Sequence, residues 1–203
     1  LGLVSKQEGD LAAAEASLKR ALALQDERDW RISLAELLRA KGLKALLSKP
    51  RDLETARAAW REAQSLYPAD LDVSGLNGLL EIAERDLLKQ RFEKAASAFS
   101  AGDYPRARDG FGKALEIAPD FFEGWFNLGL VESRLKDWPA AAEAFGKAAV
   151  LQPGDFESQL RLGDALAGAG DAAGARQAFA RAGVLAVTGA QRQAVAARVD
   201  SAP

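Results

Sequence analysis

Residues Trp125 to Pro153 read WFNLGLVESRLKDWPAAAEAFGKAAVLQP, with small and large apolar residues at spacings that no single buried helix requires. Shifted along the chain by 34 in either direction, the stretch meets itself again without a gap. Ala141, Phe145 and Ala148 fall on Ala107, Phe111 and Ala114 upstream, and on Ala175, Phe179 and Ala182 downstream. Asp137 falls on Asp103 and Asp171. Pro153 falls on Pro119, but the third equivalent is Val187, so the last unit has lost its closing proline. Looser copies keep the internal spacing further upstream: Ala56, Trp60, Ala63 and Pro68, then Ala14, Leu18, Ala21 and Asp26. Five units are visible, and self-similarity at a fixed period makes the chain an array.

The residue types explain the period. Alanines at close helix crossings let backbones approach, while the large residue four positions away fills the space between units. Between the helices, GDYP and KDWP each supply an Asp as N-cap and a Pro in the first turn of the second helix. A proline at the end of the unit stops that helix. Each unit is therefore expected to be a helical hairpin that cannot bury its own apolar face, so neighbours stack into a superhelix with a concave side.

The pattern resembles the tetratricopeptide repeat, a helix–turn–helix unit with W-x2-L-G in its first helix, small residues and an aromatic in its second, and a closing Pro. Trp125, Leu128, Gly129, Ala141, Phe145, Ala148 and Pro153 fill seven signature positions, and Glu132 stands at the remaining one, a tyrosine in the family. Leu162 and Gly163 repeat the Leu-Gly pair, as do Leu1 and Gly2. The resemblance implies an all-α fold, a right-handed superhelical solenoid of about five helix–turn–helix repeats over residues 1–203. Its units are expected at about 1–28 (truncated), 29–70 (with an insertion), 71–121 (with a long first helix), 122–155 and 156–187, followed by a capping helix over 188–200.

Two intervals break the period. Ala56 follows Ala14 by 42 and Ala107 follows Ala56 by 51, excesses of 8 and 17 that both fall before a second helix. In the second unit, RISLAELLRAKGLKALLSKP carries apolar residues at Ile32, Leu34, Leu37, Leu38, Leu43, Leu46 and Leu47 before Pro50, which predicts a first helix longer by about two turns. In the third, Leu71 to Ala101 contains no Pro and its Gly75 and Gly78 lie near the start. One continuous helix of about thirty residues, roughly 45 Å long, is expected. The alternative is two helices broken near Asp86. An overhanging helix needs a partner for Leu76, Leu79, Leu80 and Leu87: either the lengthened helix of the second unit, or another molecule, with residues 71–101 as an edge for self-association. TGAQRQAVAARV, with Thr188 and Gln191 at capping-box spacing, reads as the terminal capping helix.

Composition narrows the function classes. The chain has 27 basic and 29 acidic residues, which is not the electrostatic footprint of a nucleic-acid binder. It contains no Cys and no His, which removes disulfides, zinc and iron–sulfur ligation, thiol nucleophiles and imidazole bases. No apolar run approaches the roughly 20 residues of a membrane span, so no membrane insertion is expected. The compartment stays open between cytoplasm and periplasm, and the start, without Met and within a helix, reads as a fragment. Glu81, Glu84 and Asp86, like Glu54 and Arg57, sit at the spacing of solvated faces and local ion pairs. GAGDAAG, with Gly168, Gly170 and Gly174, follows a helix, not a strand, and reads as an inter-helix turn. No catalytic residue, metal or cofactor is expected.

Binding is what such an array offers, because the first helices of a solenoid line a concave surface suited to an extended peptide or partner helix. Phe92, Phe126 and Leu160, each 34 apart, form one stripe there, with Phe99 and Leu130 on the same side of their helices. The competing reading packs these residues against neighbouring helices. Some tetratricopeptide relatives hold a peptide's C-terminal carboxylate with Lys and Asn, then Asn, then Lys and Arg. Here Asn127 and Arg161 match, but Phe92, Ala96 and Glu157 occupy the other positions, which argues against chaperone tails. Asn127, Arg134, Arg161 and Asp164 then supply polar contacts beside the stripe. The leading expectation is a non-catalytic protein–protein interaction module binding a peptide or partner helix in that groove. The alternative is a structural segment of a longer protein in a bacterial envelope secretion or export complex, an origin suggested by the Ala-, Gly- and Arg-rich repeats.

Overall fold

In the computed structural model, residues 11–48, 52–66 and 73–201 are described. Among them are ten α-helices and no strand: α1 Leu11–Leu24, α2 Arg28–Leu47, α3 Leu53–Leu66, α4 Val73–Ser100, α5 Tyr104–Ile117, α6 Phe122–Leu135, α7 Trp138–Leu151, α8 Phe156–Gly168, α9 Ala172–Leu185 and α10 Gly189–Ser201. Leu1, Gly2, Pro50, Pro68 and the Leu76 side chain, all used in reading the sequence, lie outside the described part. The chain divides into two compact lobes, Leu1–Asp86 and Leu87–Pro203.

In the second lobe the hairpins start where short polar side chains dictate. Asp103, Asp137 and Asp171 accept from the backbone N–H of Arg106, Ala140 and Gly174 at 3.2, 3.4 and 2.9 Å. Pro105 and Pro139 occupy the first helical turn. Each preceding helix closes with a left-handed residue at the same place in the period: Gly102 at φ 79°, Lys136 at φ 61° and Gly170 at φ 85°. The two glycines adopt that conformation without strain, whereas Lys136 carries a Cβ into it.

Within each hairpin a small residue meets an aromatic ring. A Cβ on Gly129 would stand 2.7 Å from the Phe145 ring, and one on Gly163 would stand 2.3 Å from Phe179. The third repeat inverts the arrangement, since Ala95 occupies the helix position of Gly129 and it is Gly110 opposite that has no room, its Cβ 2.7 Å from that of Ala95. Phe111, Phe145 and Phe179 are buried behind these contacts. Gly42 and Trp60 make the same kind of contact in the first lobe.

That contact shows where α2 is lengthened. α2 is 20 residues long against 14 for α6, and Gly42 is its fifteenth residue whereas Gly129 is the eighth of α6. The extra two turns therefore lie at the N-terminal end. α4 runs 28 residues through Asp86 without a break. Its excess of 17 is half of the period of 34, and Gly78 follows Pro68 at the interval by which Gly129 follows Pro119. Two first-helix registers thus run into each other with no second helix between them. The lobe boundary after Asp86 falls beside Leu88, which precedes Phe122, the first residue of α6, by one full period. In the first lobe this helix meets α3: Arg57 Nε donates to Glu84 Oε1 at 2.8 Å, beside a cavity of about 240 Å³ lined by Trp60, Asn77 and Leu80. A Cβ on Gly78 would touch nothing within 4 Å, and Leu79 and Ile82 are exposed.

α10 closes the second lobe. The backbone N–H of Gln191 donates to Thr188 Oγ1 at 3.1 Å, and the Gln191 side chain accepts from the Thr188 N–H at 3.0 Å, a reciprocal capping box. Val195 is buried against Leu160, Phe179 and Ala182.

Candidate functional site

The stripe residues meet the core in an ordered way. Phe92 packs edge-on against Phe111, with ring centres 5.4 Å apart, and against Phe121 at 5.2 Å. One repeat later Phe126 packs edge-on against Phe145 at 5.6 Å and stacks on Phe122 at 5.9 Å. Both are half-buried, as are Phe99 and Leu130. Leu160 differs: it is 4% exposed and belongs to the core under Val195 of α10. Its expected place in an open stripe is corrected, because the capping helix covers it.

The polar residues separate in the same way. Asn127 Nδ2 donates to the Glu123 carbonyl of its own helix at 2.7 Å. Arg161 pairs with Glu157 at 2.8 Å. Asp164 accepts from Arg198 Nε of the capping helix at 2.6 Å, and that hydrogen bond pushes the Arg198 pKa up. Arg134 is exposed and sits over the Phe99 ring, its guanidinium carbon 5.9 Å from the ring centre. Phe92 and Phe99 of α4 and Phe126, Asn127, Leu130 and Arg134 of α6 are thus half-buried or exposed, while Leu160 and Asp164 meet the capping helix.

Glu132 occupies the signature position where the family has tyrosine, and it is buried at 5% exposure. Arg108 of α5 reaches it and also stands 3.4 Å from Asp137. The Glu132 carboxylate is the main cause of a raised Arg108 pKa. An ion pair between consecutive repeats thus stands at this position.

The same repeat also carries a groove, between Trp125 of α6 and the residues of α7, that left little trace in the sequence. Pro119, Trp125, Ala142, Gly146, Val150 and Leu151 line this apolar groove of about 480 Å³. Lys147 Nζ lies 4.1 Å from the Trp125 ring centre, and Trp125 Nε1 donates to the Pro119 carbonyl at 2.7 Å. Val150 and Val184, one period apart and both strongly exposed, were the available signal.

Among the described residues no group of His, Cys, Asp and Glu is placed to hold a metal ion, and no helix is long and apolar enough to cross a membrane. With the hairpins, caps and Gly–Phe contacts in place, a tetratricopeptide repeat model matches residues 92–155 and 133–184, and a second model of that description matches residues 1–28, together more than half of the chain. The chain belongs to the tetratricopeptide repeat family. Its solved structural neighbours include the Arabidopsis OM64 tetratricopeptide domain, at 17% identity over 58% of this chain and 98% of that one, TM-score 0.52. The Yersinia enterocolitica type III secretion chaperone SycD, in complex with a peptide of the translocator YopD, matches at 17% identity over 57% of this chain and 92% of that one, TM-score 0.53. The first tetratricopeptide domain of Spaghetti (RPAP3), bound to the HSP90 peptide SRMEEVD, matches at 19% identity over 57% of this chain and 93% of that one, TM-score 0.52. At these identities the likeness is one of fold. No curated protein matches the chain.

Proposed function

We propose that this tetratricopeptide array is a non-catalytic protein-interaction module that holds a peptide or partner helix on the first-helix face of its second lobe. The observation that carries the reading is the half-buried state of Phe92, Phe99, Phe126 and Leu130. Core packing fixes these side chains from behind while each still presents apolar surface. Anchors ordered before binding lose little entropy when a ligand arrives, and a few buried anchors carry most of the energy of an interface. Two structures of the same fold, SycD and RPAP3, hold peptides. The ligand here differs from a C-terminal tail gripped by a Lys/Asn clamp, since Phe92, Ala96 and Glu157 stand where that clamp needs donors.

Asn127 gives the cleanest test, because its hydrogen bond goes to its own helix and its replacement leaves the aromatic packing intact. Phe126 touches two other rings, so its replacement would damage packing as well. With the chain as bait in a native lysate, Asn127→Arg is expected to lose the partner captured by the parent. Its unfolding free energy should stay within about 0.5 kcal/mol, as for other surface changes. Capture that survives Asn127→Arg would contradict the reading and point to an assembly role through Leu79 and Ile82 of the first lobe.

A further inference from the structure

Several charges on and beside the first-helix face of the second lobe are already engaged. Lys89 pairs with Glu93, Arg161 with Glu157, Asp164 with Arg198, and Glu132 with Arg108. Arg134 has no carboxylate partner among the described residues, and its guanidinium lies over the Phe99 ring. A guanidinium held on an aromatic face keeps its in-plane N–H donors for a second, bidentate partner such as a carboxylate. Glu123, an acid on the same helix without an ion pair among the described residues, lies eleven positions back, about 16 Å along the axis. The α6 part of the face therefore ends in a cation that no ion pair among the described residues engages.

The apolar part of the face adjoins that charge. Leu130 and Phe126 precede Arg134 by four and eight positions, one and two turns along the same side of α6. Beyond α6 the face is closed, because Val195 covers Leu160 and Arg198 occupies Asp164. What remains open is a short site on α4 and α6, with Phe126 and Leu130 as its apolar floor and Arg134 above Phe99 as its cation.

We propose that this site reads an internal acidic residue: the ligand is a protein segment that lays an apolar side chain on Phe126 and Leu130 and an Asp or Glu side chain on Arg134. The inference rests on the groove reading above and adds the chemistry of the ligand. A single cation suits one side-chain carboxylate, whereas a chain terminus would need the donors that Phe92, Ala96 and Glu157 do not supply. The rise from Leu130 to Arg134 is about 6 Å. The acid therefore stands two residues from the anchor in an extended segment, or three to four in a helical one.

A random peptide library displayed between fixed flanks, so that no peptide offers a free C-terminus, tests this. The parent chain is expected to enrich peptides with an Asp or Glu at that spacing from an aromatic or large aliphatic residue. Arg134→Gln should lose the acid preference and bind a selected acidic peptide about tenfold more weakly, as for loss of one charge-assisted contact. Arg134→Glu should reverse the preference toward Lys and Arg. Arg134 is exposed, so both variants should melt with the parent. Enriched peptides without an acid preference, or a preference that survives in Arg134→Glu, would overturn the inference and leave the groove reading standing. No enrichment by the parent would overturn both.

Discussion

Phe145→Ala is expected to lower the unfolding free energy of the second lobe by about 4 kcal/mol, inside the range for truncating a fully buried phenylalanine. The ring is completely buried. It packs against the backbone of Gly129 on one side and edge-on against Phe126 on another. Ala141 and Ala165 share its cluster, with Leu130, Ala142 and Leu162 packed against it. The half-buried Phe126, Leu130 and Leu162 can lean partly into the vacated space, so the cavity closes only in part and the loss falls near the middle of the range. Because repeat stabilities sum through nearest-neighbour interfaces, the fourth repeat should take both of its neighbours with it. Denaturant unfolding followed by circular dichroism measures the effect. Phe111→Ala and Phe179→Ala, one period away and equally buried, should fall in the same class. A loss below about 1 kcal/mol would show that the repeats are not held by their Gly–Phe contacts.

Arg108→Ala should cost about 2 kcal/mol, although an exposed arginine is normally replaced at little cost. The reason lies with its partner. The Glu132 side chain is 7% exposed and the Arg108 side chain 44% exposed, so truncating Arg108 leaves a buried carboxylate without its cation. The pair is half-solvated, which keeps the loss below the roughly 3 to 5 kcal/mol of a fully buried pair. One period on, the position of Glu132 is taken by Leu166, which packs into the apolar core there. Glu132→Leu in the Arg108→Ala background should therefore recover most of the lost stability. Denaturation of the single and double variants tests the pair directly. An Arg108→Ala chain as stable as the parent would mean that solvent, not Arg108, satisfies Glu132.

The fold was legible in the sequence because its determinants are local. The Asp caps, the prolines in the first turn and the Thr188–Gln191 box each act within one turn, and the Gly–Phe contact acts within one hairpin. Even the odd helix left a length signal, since an excess of 17 is half of 34. What that arithmetic could not fix was the side of α4 left open at Gly78, Leu79 and Ile82.

The site was legible only in part, for a related reason. Leu160 matches Phe126 in its own repeat, but Ala194 and Val195, which pack beside it, come from a helix outside the repeats. Asp164 likewise finds Arg198 one period later, a pair that the same shift could have revealed. Phe92 and Phe126 fit both the groove and the packing readings, because a large ring at this position meets the core with one edge and the exterior with the other.

Amide chemical-shift mapping of the labelled chain, titrated with a peptide selected from the flanked library, tests most directly whether the first-helix face of the second lobe holds the ligand. Perturbations are expected to gather at Phe92, Phe99, Phe126, Asn127, Leu130 and Arg134. Perturbations gathered instead around Trp125, Lys147 and Val150, or along α4 at Leu79 and Ile82, would contradict that reading.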